Sequence, residues 1–318
     1  MSTISDRSYH TFRRRTWTVI EIFIIVLSIL LLSLFVFVIL EGKAAIQFSY
    51  KICHPVRNPR VLTVKEKYHI EKITTKSSYG TDLSGLIISP KQIKGSIIVC
   101  HYLGGNKEAV VSMLEPLIEE GYQIVSYDYI NHGASSNSLS TKYTLMKDFD
   151  LFFKYIQSRK LSTKYGIIGF SMGSTLVIHG MANYPEIITG VIDSGPLMNT
   201  EKYFQYVLDS NKINHWLERK LFIWYQLYVA GFRKMERVTK KELAMIRDRH
   251  ILFIHGSRDN IIGLDDAKQA IEYLKSCDIE LWVMEGARHL TGYFLKKEEY
   301  IKKIKEVFLI IREDNVVV

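Results

Sequence analysis

Tyr165-Gly-Ile-Ile-Gly169-Phe-Ser171-Met-Gly173-Ser-Thr-Leu-Val-Ile-His-Gly180 decides how the rest of the chain is read. It opens with an apolar run long enough for one buried strand. It closes with a run over 174–182 that can wind as a helix, although Thr175, Val177 and Ile178 are only fair helix formers. Between them, Gly-Phe-Ser-Met-Gly fits the G-x-S-x-G nucleophile elbow. The spacing has a steric cause. A serine on a tight strand-to-helix turn leaves no room for Cβ atoms two positions to either side. Such a turn lifts the hydroxyl above the sheet edge, and the N-terminal end of the following helix offers N–H groups to a developing oxyanion.

Strands and helices alternate outward from this point. Segments 70–76 and 83–88 read as a hairpin closed by Tyr79-Gly80-Thr81-Asp82. Further strands are expected at 96–100, 123–128, 190–193, 250–255 and 280–284, with helices over 107–120, ending at Gly121, and 145–159. This alternation predicts right-handed crossovers and a mostly parallel sheet with helices on both faces. Segment 199–247 breaks the rhythm. It carries Tyr203, Phe204, Trp216, Phe222, Trp224 and Tyr225 at helical spacing between two strands, and reads as an inserted helical cap. Most of these aromatics are expected to pack against the sheet, and a cap above Ser171 would also line an acyl pocket. The helical run 297–305 is rich in charge and reads as solvated surface.

A serine needs a base, and the base needs an orienting acid. Asp259 falls just after the strand at 250–255 and His289 just after the strand ending at Met284. In a parallel sheet these ends face one way, so Ser171, Asp259 and His289 are expected to converge as a catalytic triad. Asp193 stands at another strand end and is the weaker candidate for the acid. The oxyanion hole is assigned to the N–H groups of Leu103, in His101-Tyr102-Leu103-Gly104-Gly105-Asn106, and of Met172, directly after the serine. His132 is read as a structural hydrogen-bonding residue.

Near the N-terminus, residues 19–40 contain only three polar positions, Glu21, Ser28 and Ser33. At about 1.5 Å per residue, these 22 residues reach roughly 33 Å, enough for a bilayer core. Arg13, Arg14 and Arg15 precede the run, with Trp17 at the interface, so residues 1–18 are expected in the cytosol and the bulk of the chain on the other side. A cleaved signal peptide is the rival reading, but its apolar core is usually about 7–15 residues and no small-x-small site closes this run. Residues 41–65 read as a connector, since Pro55, Asn58 and Pro59 oppose regular structure, and residues 66–318 form the main domain. The balance is +9, partly beside the apolar segment, where anionic headgroups attract it. No interleaving of aromatic and basic residues suggests nucleic acid. Cys53, Cys100 and Cys277 are too scattered for a disulfide framework or a zinc site and read as structural thiols.

From about residue 70 onward the chain resembles the α/β-hydrolase superfamily, in particular its membrane-anchored or exported bacterial serine hydrolases and the monoacylglycerol-lipase-like lineage. The matching landmarks are His101 to Gly105, Asp128 to Ser135, Gly169 to Gly173, Asp259 and His289. The resemblance implies the fold and the serine mechanism but no substrate. The chain departs from the family pattern where Tyr102 stands in place of the glycine of His-Gly, which sets a large side chain near the oxyanion loop. The second departure is Tyr-Ile-Asn131-His132-Gly133, in place of Arg-Gly-His-Gly.

The expectation is therefore an α/β-hydrolase with an N-terminal transmembrane helix, cleaving an acyl ester or thioester of a small molecule or lipid, without metal or organic cofactor. An acyltransferase or a peptidase would use the same triad, and a non-catalytic binding protein would keep the fold alone. Oligomeric state has no signature in the sequence.

Overall fold

The computed structural model describes residues 4–57, 60–195 and 198–312, with side chains from residue 18 onward. The basic cluster Arg13 to Arg15, Trp17, Asn58 and Pro59 therefore lie outside the described side chains.

The chain begins with one long helix, α1 (Ile4–Cys53). Its portion Thr18–Cys53 is long and apolar enough to cross a membrane, with a mean hydropathy of 3.4 over its most apolar window. The connector expected from residue 41 is thus helical as far as Cys53. No residue before Pro55 breaks the helix, and packing holds it, with Ala45 and Phe48 set against the cap and Cys53 against the 131–141 loop.

The antiparallel hairpin β1 (His69–Lys76) and β2 (Asp82–Ser89) comes next. Then follow β3 (Gly95–Cys100), α2 (Lys107–Met113), α3 (Glu115–Glu119), β4 (Tyr122–Tyr127), α4 (Leu145–Ser158), β5 (Tyr165–Phe170), α5 (Ser174–Asn183) and β6 (Ile187–Asp193). The single helix expected over 107–120 is broken at Leu114. Pro116, in the first turn of α3, has no N–H to continue the ladder. Three further helices, α6 (Thr200–Ser210), α7 (Trp216–Trp224) and α8 (Phe232–Leu243), separate β6 from β7 (His250–Gly256), with a π-helical turn over Tyr225–Val229. The last described elements are α9 (Leu264–Ile271), β8 (Asp278–Met284), α10 (Gly292–Leu295), α11 (Lys297–Val307) and a 3-10 turn over Phe308–Ile311. On α11, Tyr300, Ile301 and Ile304 are buried, so only one face of the expected solvated helix meets water.

Among the described residues eight strands form one sheet in the order β1-β2-β4-β3-β5-β6-β7-β8. Its first two pairings are antiparallel, β1 with β2 and β2 with β4, and the others are parallel. Strands β3, β4 and β5 are buried along their whole length, as a parallel sheet covered on both faces requires. One core layer holds Phe149, Phe152, Ile167 and Leu176, and the other holds Val110, Leu117, Ile304 and Phe308. A third cluster joins the cap to the N-terminal helix, with Ala45 set among Phe204, Phe222 and Phe232.

A polar knot ties the cap to the helix that follows Ser171. His179 on α5 bonds through Nδ1 to Glu242 on α8 (2.7 Å) and through Nε2 to Asp150 on α4 (2.9 Å). Burial disfavours charge on this imidazole, but its bonds to two carboxylates outweigh it, and its pKa is raised from 6.5 to about 9. Because the folded value lies above the unfolded one, the stabilisation is full below about pH 6.5 and is lost as pH rises through about 9. The melting temperature is expected to fall across that window, and His179→Gln to flatten the fall. A wild-type profile that matches the variant's would show that the knot does not titrate.

Candidate active site

The elbow owes its shape to two close approaches. A Cβ on Gly169 would lie 2.4 Å from the carbonyl oxygen of Gly173, and one on Gly173 would lie 2.3 Å from that of Cys100. Ser171 between them takes φ +48°, a left-handed conformation that costs a non-glycine residue on the order of 1 kcal/mol or more. Ser174 Oγ donates to the Gly169 carbonyl at 2.9 Å and holds the turn closed. Gly173→Ala drives a methyl into backbone that cannot yield, so loss of folded protein or a large drop in melting temperature is expected. A stable Gly173→Ala variant with unchanged turnover would contradict this packing.

The loops after β5, β7 and β8 meet at the same sheet edge. His289 Nε2 lies 2.9 Å from Ser171 Oγ, and Nδ1 lies 2.8 Å from Asp259 Oδ2. With Nδ1–H donating to the carboxylate, Nε2 is free to accept the serine proton. The other oxygen, Asp259 Oδ1, accepts from the N–H groups of Ile261 (3.0 Å) and Ile262 (2.9 Å). Burial opposes the charge on Asp259, but the bond and charge of His289 and the Ile262 N–H prevail and hold its carboxyl below the usual range. The two loops are stitched to each other as well. Arg258 N–H donates to the Ala287 carbonyl and Gly286 N–H to Ser257 Oγ, both at 2.9 Å.

Asp193 is engaged elsewhere. It accepts from Tyr300 Oη at 2.6 Å and from Ser194 Oγ at 2.9 Å, and complete burial pushes its pKa up. His289 therefore takes Asp259 as its carboxylate partner.

Leu103 and Met172 border one small cavity of about 40 Å³, together with Cys53, Tyr129, Tyr143 and Leu145. Tyr102 is not among its lining. Its ring packs over Gly105 and joins the opposite core layer. The large side chain expected to crowd the oxyanion loop is thus turned away from the cavity, at the start of a turn that the Gly105 N–H closes on the Tyr102 carbonyl at 2.9 Å.

The loop is pinned from below. Lys107, at the start of α2, donates to the Asp128 carboxylate through Nζ (2.6 Å) and through its backbone N–H (2.7 Å). Buried His101 bonds to the Tyr102 carbonyl through Nδ1 and accepts the Tyr129 N–H at Nε2, and burial lowers its pKa to about 3. That neutral tautomer ties the Leu103 loop to the loop after β4. His132 bonds through Nδ1 to the Ile130 carbonyl and stays outside the Ser171 chain of bonds. Among the described residues no group of three or more His, Cys, Asp or Glu is disposed to hold a metal ion.

Sequence reasoning does not reach the wall of this cavity. Cys53 closes it from the end of α1, where its Sγ donates to the Thr141 carbonyl (3.4 Å) and its carbonyl accepts from Asn131 Nδ2 (3.1 Å). Contacts between residues 78 or 88 positions apart leave no local trace in the sequence.

Residues 91–249 match the model of the family described as serine aminopeptidase, S33. The uncharacterized protein YqkD of Bacillus subtilis is 24% identical over 236 residues, which cover 72% of this chain and 76% of that protein. Among solved structures, an esterase of Pyrococcus furiosus superposes with a TM-score of 0.66 at 22% identity, covering 83% of this chain and 99% of that one. An acylaminoacyl peptidase of Pyrococcus horikoshii superposes with a TM-score of 0.61 at 14% identity, covering 80% of this chain and 43% of that one. At these identities the structural likenesses speak to the fold alone.

Proposed function

The chain belongs to the serine aminopeptidase (S33) family of the α/β-hydrolase superfamily, and from that premise we propose that it is a serine hydrolase cleaving an acyl ester or thioester through an acyl-enzyme. The observation that carries this reading is the continuous line of hydrogen bonds from Ser171 through His289 to Asp259, at 2.9 and 2.8 Å.

In this reading Ser171 Oγ attacks the acyl carbonyl while His289 Nε2 takes its proton. The imidazolium then gives that proton to the leaving alcohol or thiol. Asp259 keeps Nδ1–H pointed at itself and stabilises the positive ring. The N–H groups of Leu103 and Met172 receive the oxyanion, and the cavity they border receives the acyl group. Water, deprotonated by His289, then attacks the acyl-enzyme and releases the acid. Besides substrate and water, these steps use only side chains and backbone N–H groups of this chain. The apolar span of α1 holds the site at a membrane, on the non-cytoplasmic side by the charge of the N-terminal segment, where lipid-derived esters share its surface.

A second reading, cleavage of a peptide amide, is favoured by the description of the matching family. One experiment separates the two. The purified full chain is offered p-nitrophenyl esters, acyl thioesters and aminoacyl p-nitroanilides, with and without an added alcohol acceptor. Ester and thioester turnover that yields free acid supports the proposal. Cleavage of the anilides alone would move the reading to a peptidase. Acyl transfer to the alcohol as the main product would move it to a transferase.

A further inference from the structure

The exposed residues of α7 and of the turn that follows it form a pattern that the catalytic reading leaves unused. Trp216, Lys220, Trp224 and Tyr228 are exposed and recur at every fourth position, while Phe222 on the other side is buried. On a helix that spacing makes one surface ridge. Trp216, Trp224 and Tyr228 are 60%, 54% and 61% exposed, although tryptophan is highly buried on average, and together they make a contiguous apolar ridge and not scattered single residues.

The packing of α7 on α1 sets the height of this ridge. Glu41 Oε2 lies 3.0 Å from His215 Nδ1, and the Phe37 ring meets the His215 ring edge-on at 5.4 Å. Farther along, Phe48 meets Phe222 at 4.9 Å. Glu41 to Phe48 and His215 to Phe222 are equal steps, so the two helices run parallel and Trp216 lies level with Gly42. The unbroken run of exposed apolar residues on α1 ends at Leu40, where Glu41, Gly42 and Lys43 follow, and beyond it Ile46 and Tyr50 are the large apolar side chains still exposed. Trp216 therefore stands within about one helical turn of the end of the apolar span, at the depth where tryptophan and tyrosine belts occur.

The charges around it agree. Lys43 on α1, Lys212 in the loop before α7 and Lys220 are all exposed, and Lys220 Nζ lies over the Trp216 ring at 5.4 Å. Helical side chains lean toward the N-terminal end, which on α7 is the end nearest the apolar span. Of the nearby acids, Glu41 and Asp209 are held by His215 and Arg219. Glu218 projects about 200° round the helix from Trp216.

We infer that the corner between α6 and α7 is seated in the phospholipid headgroup layer, with Trp216 as its interfacial anchor and Lys43, Lys212 and Lys220 turned to anionic headgroups. The inference rests on the reading of α1 as a membrane span. It gives the cap a second attachment to the bilayer, so the cap is held against the leaflet and does not ride free on a tether. Trp224, about 12 Å farther along α7, stands clear of the lipid.

Depth-dependent quenching of tryptophan fluorescence tests this. The full chain is placed in nanodiscs of phosphatidylcholine and phosphatidylglycerol as two triple variants. Trp17→Phe, Trp224→Phe and Trp282→Phe together leave Trp216, and Trp17→Phe, Trp216→Phe and Trp282→Phe leave Trp224. The difference between wild type and Trp216→Phe gives the same signal should a triple variant fail to fold. Lipid spin-labelled near the headgroup is expected to quench Trp216 by at least half and Trp224 little, with the reverse order for acrylamide in the buffer. Trp216 as open to acrylamide as Trp224 would overturn the inference. Shielding from both quenchers would overturn it too, in favour of contact with a second copy. A chain that carbonate washes from membranes would overturn the span and this inference together, whereas a retained chain with an acrylamide-accessible Trp216 overturns only the latter.

Discussion

Ser171→Ala is expected to lower kcat/KM for acyl-ester hydrolysis by about 10⁴- to 10⁶-fold while leaving the fold intact. The size of the effect follows from the loss of the attacking atom itself. What remains is the cavity and the N–H groups of Leu103 and Met172, which in the proposed mechanism polarise a carbonyl but cannot form the acyl-enzyme. The fold should survive because Ser171 contributes one side-chain bond, to His289, while the elbow is held by Ser174 Oγ and the tight approach of Gly173 to Cys100. Removal of the Cβ hydroxyl does not touch the φ of +48°. Kinetics on purified wild type and variant, with matched circular dichroism and melting temperatures, make the comparison. A variant retaining a tenth of the activity would rule Ser171 out as the nucleophile.

Asp259→Asn is expected to cost about 10⁴-fold in kcat. The asparagine carbonyl can still accept from the Ile261 and Ile262 N–H groups that now bond Asp259 Oδ1. Its amide would then face His289 Nδ1 with hydrogens and turn that nitrogen into the acceptor. The proton would sit on Nε2, pointing at Ser171, where the base is needed. The wrong tautomer is thus imposed with little change in shape, so melting temperature should move far less than rate. Asp193→Asn serves as the control. Its carboxylate bonds Tyr300 and Ser194 and not His289, so it is expected to act on stability more than on kcat. Equal kinetic losses in the two variants would deny Asp259 the orienting role.

The fold was legible because its signals are local. Gly169 and Gly173 mark a turn that tolerates no Cβ, and the apolar runs that precede each loop carry the parallel sheet on which that turn sits. Asp259 and His289 could be placed beside Ser171 because strand ends on one edge of such a sheet face the same way. Other features depend on packing between distant segments. Tyr102 stands where a crowded oxyanion loop was expected, yet its ring turns to the opposite core layer. The helix continues through residues 41–53 because Ala45, Phe48 and Cys53 find partners on the cap and on the 129–141 loop. Nothing in the local pattern of residues 41–53 announces those partners. The knot of His179, Asp150 and Glu242 is equally silent, since each residue alone reads as an ordinary polar position on a helix.

Covalent labelling tests the central claim most directly. A fluorophosphonate probe is added to membranes carrying wild type, Ser171→Ala or His289→Ala at equal expression, and the labelled peptide is identified by mass spectrometry. The expected result is a single adduct on Ser171 in wild type and none in either variant. A folded wild type that takes up no probe, or an adduct on another residue that persists in Ser171→Ala, would contradict the account.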